Sequence, residues 1–288
     1  MESLLSVKNL NKKYEKFTLE NISFNINKGD IIGLIGENGA GKSTTIKALL
    51  NLIDLNSGEV LFEGKPLSQE SIDLKEFIGV VFDDLYFYKE LNPTQVNNIC
   101  KNLYKTWDEN SFYNYLSEFE LPKDKKIESF SKGMKMKLNI AIAISHQVKL
   151  LILDEATTGL DPIVRNDILN IFLKLVRKNN IAIVISSHIT SDIEKIANKI
   201  MFIHSGKILF FEDKKDVFKE YGKIICSKKD LESLKNENTI KVNELLIDCG
   251  IDEPCQILVK NKDLFDKNLV QDASLDDILL GFIRGKEF

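Results

Sequence analysis

Gly36-Glu37-Asn38-Gly39-Ala40-Gly41-Lys42-Ser43, followed by Thr44, decides the reading of this chain. The octapeptide fits GxxxxGK[ST], with a short apolar run rich in β-branched residues, Ile31–Ile35, before it and a helical pattern after it. Glycines let the backbone curl so that successive N–H groups converge on phosphate oxygens. The start of the following helix adds its positive end. Lys42 is placed for the β- and γ-phosphates, the Ser43 hydroxyl for a Mg²⁺ ion, and Thr44 for a further phosphate contact.

Outward from the loop, the chain alternates strand and helix. Upstream, residues 3–26 read as strands, with Ile22, Phe24 and Ile26 alternating with polar neighbours. Downstream, Ile46, Leu49, Leu50 and Ile53 fall on one helical face. Val60–Phe62 and Ile78–Phe82 read as short strands. From about 84 to 148 aromatic and polar residues mix at helical spacing, which reads as a helical insertion. Leu150–Leu153 and Ile181–Ser186 are then expected as buried strands, with helices at Ile163–Lys178 and near 190–199. A hairpin is expected about Ser205-Gly206. The pattern specifies an α/β fold with a mostly parallel core sheet and N-terminal antiparallel strands. Residues 212–288 read as a small α+β extension with weak strands at 223–226, 239–247 and 256–259. It ends in a helix opened by Ser274-Leu275-Asp276-Asp277.

Leu150-Leu151-Ile152-Leu153-Asp154-Glu155 ends a buried strand on two acids. Ligands of parallel sheets sit beyond the carboxyl ends of the strands, so these carboxylates arrive at the same edge as the phosphate loop. Asp154 is then a candidate Mg²⁺ ligand and Glu155 the residue that orients or deprotonates water. Taken alone, such a strand end is often just a solvated polar turn. Asn27-Lys28-Gly29-Asp30 spells the base-reading NKxD of GTPases, but it precedes the phosphate loop instead of following it. It reads as a turn with Gly29 left-handed.

Composition narrows the class. Hydrophobic residues are 43% and charged residues 28% of 288, the balance of a folded globular chain. The net charge is −4 and the only arginines are Arg165, Arg177 and Arg284, so nucleic acid is not an expected partner. The most apolar stretch, 138–153, is interrupted by Ser145, His146, Gln147 and Lys149, and the N-terminus carries no export signal. Four cysteines without a CxxC pair and three scattered histidines point to reduced thiols, no structural metal and a cytoplasmic chain.

With both strand ends placed, further segments fall into a known order. The chain resembles the ATP-binding subunit of an ATP-binding-cassette (ABC) transporter, with Walker A at Gly36–Thr44 and Walker B at Leu150–Glu155. Phe130-Ser131-Lys132-Gly133-Met134 resembles the family signature, usually LSGGQ, and Gly159-Leu160-Asp161 the D-loop. His188 resembles the switch histidine, and Tyr14 the aromatic that stacks on adenine. The Lys-Gly-Met variant is similar to that of bacterial exporter ATPases of the bacitracin-resistance type. The resemblance covers roughly 1–211 and implies an ABC-type P-loop NTPase domain there, with a helical subdomain at about 84–148 and an accessory unit at 212–288. Where the family has a glutamine this chain has Asp83, either a water-mediated Mg²⁺ ligand or a solvated loop acid.

The resemblance further implies ATP and Mg²⁺ as cofactors and a second ATPase subunit as partner. The signature residues Ser131 and Gly133 would close over ATP held by the other copy, Glu155 would position water, and His188 would contact the γ-phosphate. A separate membrane permease is implied, with export as the direction, which would hold the subunit on the inner face of the cell membrane. Leu85-Tyr86-Phe87-Tyr88 reads equally as a docking patch for it or as core. Two other readings are open: a soluble ABC ATPase acting on nucleic acid or ribosomes, and a nucleotide-binding regulatory subunit with little turnover.

Overall fold

The computed structural model describes residues 3–227, 229–231, 245–248, 254–266 and 268–287. Its centre is the apolar run that precedes the phosphate loop. Ile31–Ile35 is a strand buried along its whole length. It pairs in parallel with Ala182–Ser186 on one side and Lys199–His204 on the other. Leu150–Asp154 pairs with Ala182–Ser186, and Ile78–Val81 with Leu150–Asp154, again in parallel. With Lys207–Asp213 at one edge this makes a six-stranded sheet in which the phosphate-loop strand is central. Strands covered on both faces are apolar throughout, which is why these segments are continuous Ile/Leu/Val runs.

A second, four-stranded sheet holds Leu5–Lys13, Thr18–Ile26, Ser57–Phe62 and Lys65–Pro66. The first two strands are antiparallel, and the alternation in Thr18–Ile26 turns Leu19, Ile22, Phe24 and Ile26 inward. These residues join Leu34, Ile46, Leu49 and Ile152 in one core that ties both sheets to the helix after the loop. The inserted segment is helical, at Pro93–Leu103, Glu109–Glu118 and Lys132–Ile144. Asn92 caps the first of these helices with a full capping box to Gln95. Asn27–Asp30 is a turn: the Asp30 amide donates to the Asn27 carbonyl at 3.1 Å and Gly29 has φ 81.

The structure departs from the sequence expectations in several places. The helix after the phosphate loop runs Lys42–Leu49 and stops before Ile53, because Asn51 adopts φ 52 and ends it. The helix after His188 runs Thr190–Ile196, where Ala197 turns extended to enter Lys199–His204. Cys255 is disulfide-bonded, against the expectation of reduced thiols, whereas Cys100 and Cys226 are free and buried. Composition does not reveal which cysteines a fold brings within bonding distance.

The chain divides into two compact units, Met1–Phe211 and Glu212–Phe288. The second unit has its own five-stranded sheet, including Tyr221–Cys226 and Cys255–Lys260, and its own apolar cluster around Ile224, Ile257 and Val259. Of the strand expected at 239–247, Leu245–Asp248 is seen, and 239–244 lies outside the described residues. A helix at Lys214–Glu220 and a strand at Val270–Asp272 are additional. The terminal helix Leu275–Arg284 begins with a capping box between Ser274 and Asp277. Among the described residues, no helix is long and apolar enough to cross a membrane.

Candidate nucleotide site

The carboxyl ends of three adjacent strands converge on the phosphate loop. Ile31–Ile35 delivers the loop itself, Leu150–Asp154 delivers Asp154 and Glu155, and Ala182–Ser186 leads to His188. A cavity of about 670 Å³ opens there, lined by Asn38, Gly39, Gly41, Lys42, Ser43 and Thr44 from the loop, by Asp83, Glu155, Thr158 and His188, and by Lys16 and Phe17. Gly41 has φ 117, and a Cβ there would stand 2.9 Å from Phe17 Cζ, so only glycine lets the loop and this ring approach.

Lys42 is largely buried, and its ammonium donates to the carbonyls of Gly36 at 2.7 Å and Glu37 at 3.1 Å. Burial pushes its pKa below the ordinary lysine value, while the carboxylates of Glu155, Asp154 and Glu37 pull it back. A cation held on weak carbonyl acceptors in a partly dehydrated cavity is poised for an anion. Glu37 itself turns to His204, with Oε1 3.0 Å from Nδ1. Ala40 is buried, and its carbonyl accepts from the Gly206 amide at 2.9 Å.

The acids are held in two different ways. Asp154 Oδ1 accepts from Ser186 Oγ at 2.6 Å and stands 3.5 Å from Ser43 Oγ. Glu155 follows with φ 55, a left-handed conformation that costs a non-glycine residue about 1 kcal/mol. Its amide donates to Ser186 Oγ at 3.1 Å, which holds the strained residue in place. The Glu155 side chain receives Thr158 Oγ1 at 2.6 Å and His188 Nδ1 at 2.7 Å, both on Oε2. Oε1 takes neither of these bonds, and Glu155 is among the residues that line the cavity.

Other expected residues lie outside this lining. Tyr14 is 42% exposed, with its ring centroid 6.5 Å from that of Phe17 and Lys12 Nζ 5.2 Å from its face. Ser131 caps the helix Lys132–Ile144, accepting from the Met134 amide at 3.2 Å. Gly133 lies against Val164, whose Cγ1 would stand 2.7 Å from an added Cβ. Neither Ser131 nor Gly133 lines the cavity of its own chain. Asp83 does line it, and Asn139 on the signature helix holds the adjoining segment by donating to the carbonyls of Phe82 and Asp84. Sequence reading missed Phe17, Thr158 and Ser186. Ser186 alone carries a signal, as the polar residue that closes the apolar strand Ala182–Ser186.

This order of parts has known counterparts. The ABC transporter family model matches residues 19–158. The lantibiotic transport ATP-binding protein SrtF of Streptococcus pyogenes is 39% identical over 209 residues, which is 72% of this chain and 89% of SrtF. The chain belongs to the ABC transporter ATP-binding protein family. The bacitracin transport ATP-binding protein BcrA of Bacillus licheniformis is 35% identical over 212 residues, 73% of this chain and 69% of BcrA. Among solved structures, cbiO1 from Clostridium perfringens, part of the ABC transporter complex cbiONQ, superposes with a TM-score of 0.67 at 27% identity. That match covers 83% of this chain and 96% of cbiO1. As an ABC transporter subunit of this kind, the chain binds and hydrolyses ATP.

Proposed function

We propose that Met1–Phe211 is the ATPase domain of an exporter, with a helical subdomain at about 84–148, and that 212–288 is an accessory unit. The observation that carries this reading is the single cavity in which Lys42, Ser43, Asp83, Glu155 and His188 meet. In it, Gly36–Thr44 cradles the phosphates, Lys42 leaves the loop carbonyls for the β- and γ-phosphates, and Tyr14 stacks on the base beside Phe17. Glu155 receives a proton from water through Oε1 while Thr158 and His188 fix Oε2. His188, held beside Glu155 through Nδ1, contacts the γ-phosphate.

Ser43 and Asp154 are the hard oxygen donors for Mg²⁺, with Asp83 as a further donor through water. Among the described residues no group of three or more His, Cys, Asp or Glu could hold a metal by itself. Mg²⁺ is usually held by one or two carboxylates together with substrate phosphates and water, and the hydroxyl of Ser43 and the carboxylates of Asp154 and Asp83 are oxygen donors of that kind. When bound, the ion would neutralise charge that builds on the phosphates.

Ser131 and Gly133 stand outside their own cavity, at the N-terminus of the helix Lys132–Ile144. A second copy, or a related subunit, is the source of a signature that closes over the γ-phosphate with its positive helix end. The permease partner is a separate membrane protein, which places the subunit on the cytoplasmic face of the membrane. Tyr86 and Tyr88 are 77% and 80% exposed and offer it an aromatic docking patch. The lantibiotic and bacitracin transport functions of the relatives support a similar, antibiotic-type cargo and the outward direction. The test is light scattering of the full chain with and without Mg-ATP, in parallel with phosphate release. ATP should raise the molar mass to that of a dimer. A monomer that hydrolyses ATP at saturation would overturn the shared site.

A further inference from the structure

Glu155 Oε2 is held by two donors from two loops. Thr158 lies just before Gly159–Asp161, and Asp161 caps the helix Pro162–Asn179, accepting from the Ile163 and Val164 amides. His188 lies just before the helix Thr190–Ile196. These two helices are themselves joined. Arg165, in the first turn of the longer helix, places Nε 3.4 Å from Oδ1 of Asp192, in the first turn of the shorter one. Lys195, one turn after Asp192, donates to Asn166, the residue next to Arg165. The side chain of Asp192 is 3% exposed, and its Oδ2 has no hydrogen-bond partner among the described residues.

A buried carboxylate with one oxygen unpaired is expensive, and an apolar residue of similar volume would often be at least as stable there. Its presence therefore calls for a role beyond packing. The shorter helix is also seated without play on the phosphate-loop strand: an added Cβ at Gly33 would stand 2.1 Å from Ile193 Cγ2. Held on that side, the helix is aligned on the other through Arg165 and Asn166 of the longer helix. The contacts form a closed circuit that runs from Glu155 to Thr158, along the loop to Arg165, across to Asp192, back to His188 and again to Glu155.

We infer that Arg165 and Asp192 are a positioning pair for hydrolysis, which sets where His188 stands against Glu155 and the γ-phosphate. The inference rests on the proposed roles of His188 and Glu155. Neither member of the pair lines the cavity, so they act through His188 and not on ATP. The single 3.4 Å contact leaves room for tightening, since the guanidinium has further N–H groups to offer Oδ2.

The experiment measures steady-state ATP hydrolysis by the full chain in Asp192→Asn, Asp192→Glu, His188→Ala and the Asp192→Asn/His188→Ala double variant. Asp192→Asn should lower kcat about tenfold with less than a twofold change in KM, because the nucleotide contacts are untouched. Asp192→Glu should return kcat to within about threefold of the wild type. The double variant should be no slower than His188→Ala, because a residue that acts through His188 has nothing to add once the imidazole is gone. A double variant slower than His188→Ala by the full Asp192→Asn factor would overturn the inference. So would a lowered melting temperature with unchanged kcat. His188→Ala at wild-type kcat would instead overturn the role of His188 itself. Should Asp192→Asn fail to fold, Arg165→Gln, at a partly exposed side chain, reads the same cycle.

Discussion

Replacing Glu155 by glutamine separates the chemistry of the site from its architecture. The carboxylate takes both of its hydrogen bonds on Oε2, from Thr158 at 2.6 Å and from His188 at 2.7 Å. An amide oxygen in that position accepts both, so the constellation survives. Two charge-assisted bonds become neutral ones, a loss of at most about 1 kcal/mol each. At about 2–4 °C per kcal/mol for a unit of this size, melting should fall by no more than roughly 8 °C. What disappears is the basic lone pair at Oε1, the oxygen that neither donor holds. General-base assistance contributes about 10²–10⁴ in rate, so kcat should drop about a thousandfold, or about 4 kcal/mol in barrier. ATP should bind no more weakly, because a negative charge has left the vicinity of Lys42 and the phosphates. Phosphate release at saturating Mg-ATP and light scattering of the ATP complex measure both effects. A kcat within tenfold of wild type, or a dimer that no longer forms with ATP, would refute the assignment of Glu155 as the base.

Other consequences are equally direct. Tyr14→Ala should raise the KM for ATP about tenfold, within the 1–3 kcal/mol typical of base stacking, and Tyr14→Phe should leave it unchanged; initial-rate titrations decide. Gly33→Ala places a carbon 2.1 Å from Ile193 Cγ2, where about 3.5–4.0 Å is needed, and Ile193 is fully buried. The overpacking should cost about 3 kcal/mol and lower the melting temperature by roughly 6–12 °C, and calorimetry showing less than about 2 °C would exclude it. Burial pushes the Glu76 carboxyl up, but the Lys105 and Thr106 amides, the Thr106 hydroxyl and nearby His146 outweigh burial and hold it below 4.5. Its folded value is therefore the lower one. The stability it contributes is complete above pH 4.5 and lost as pH falls through the folded value. Glu76→Gln should flatten that part of the acid denaturation curve.

The core sheet could be read from sequence because burial on both faces forces continuous apolar runs, and those runs end on polar residues at the ligand edge. Leu150–Asp154 and Ile31–Ile35 are legible on that ground alone. Helix ends were less legible. Ile53 keeps the helical period of Ile46 and Leu49, but a single left-handed residue, Asn51, cuts the helix, and periodicity does not register one backbone angle. In the site, Lys42, Ser43, Asp154, Glu155 and His188 stand in recognisable surroundings. Thr158, Ser186, Arg165 and Asp192 do not, because their roles come from partners distant in sequence. Asp83 shows the same limit: its residue type departs from the family pattern, and only the fold brings it to the cavity wall.

The left-handed backbone at Glu155 sets stability against turnover. Glycine would relieve that conformation at no steric penalty, and asparagine would relieve part of it. Either replacement also gives up the bonds that Thr158 and His188 make to the carboxylate, so the relief and the loss largely offset one another while the chain no longer splits its nucleotide. A laboratory screen that ranks variants of this subunit by heat resistance alone would therefore pass dead catalysts at this position, and any such selection needs a second filter for phosphate release.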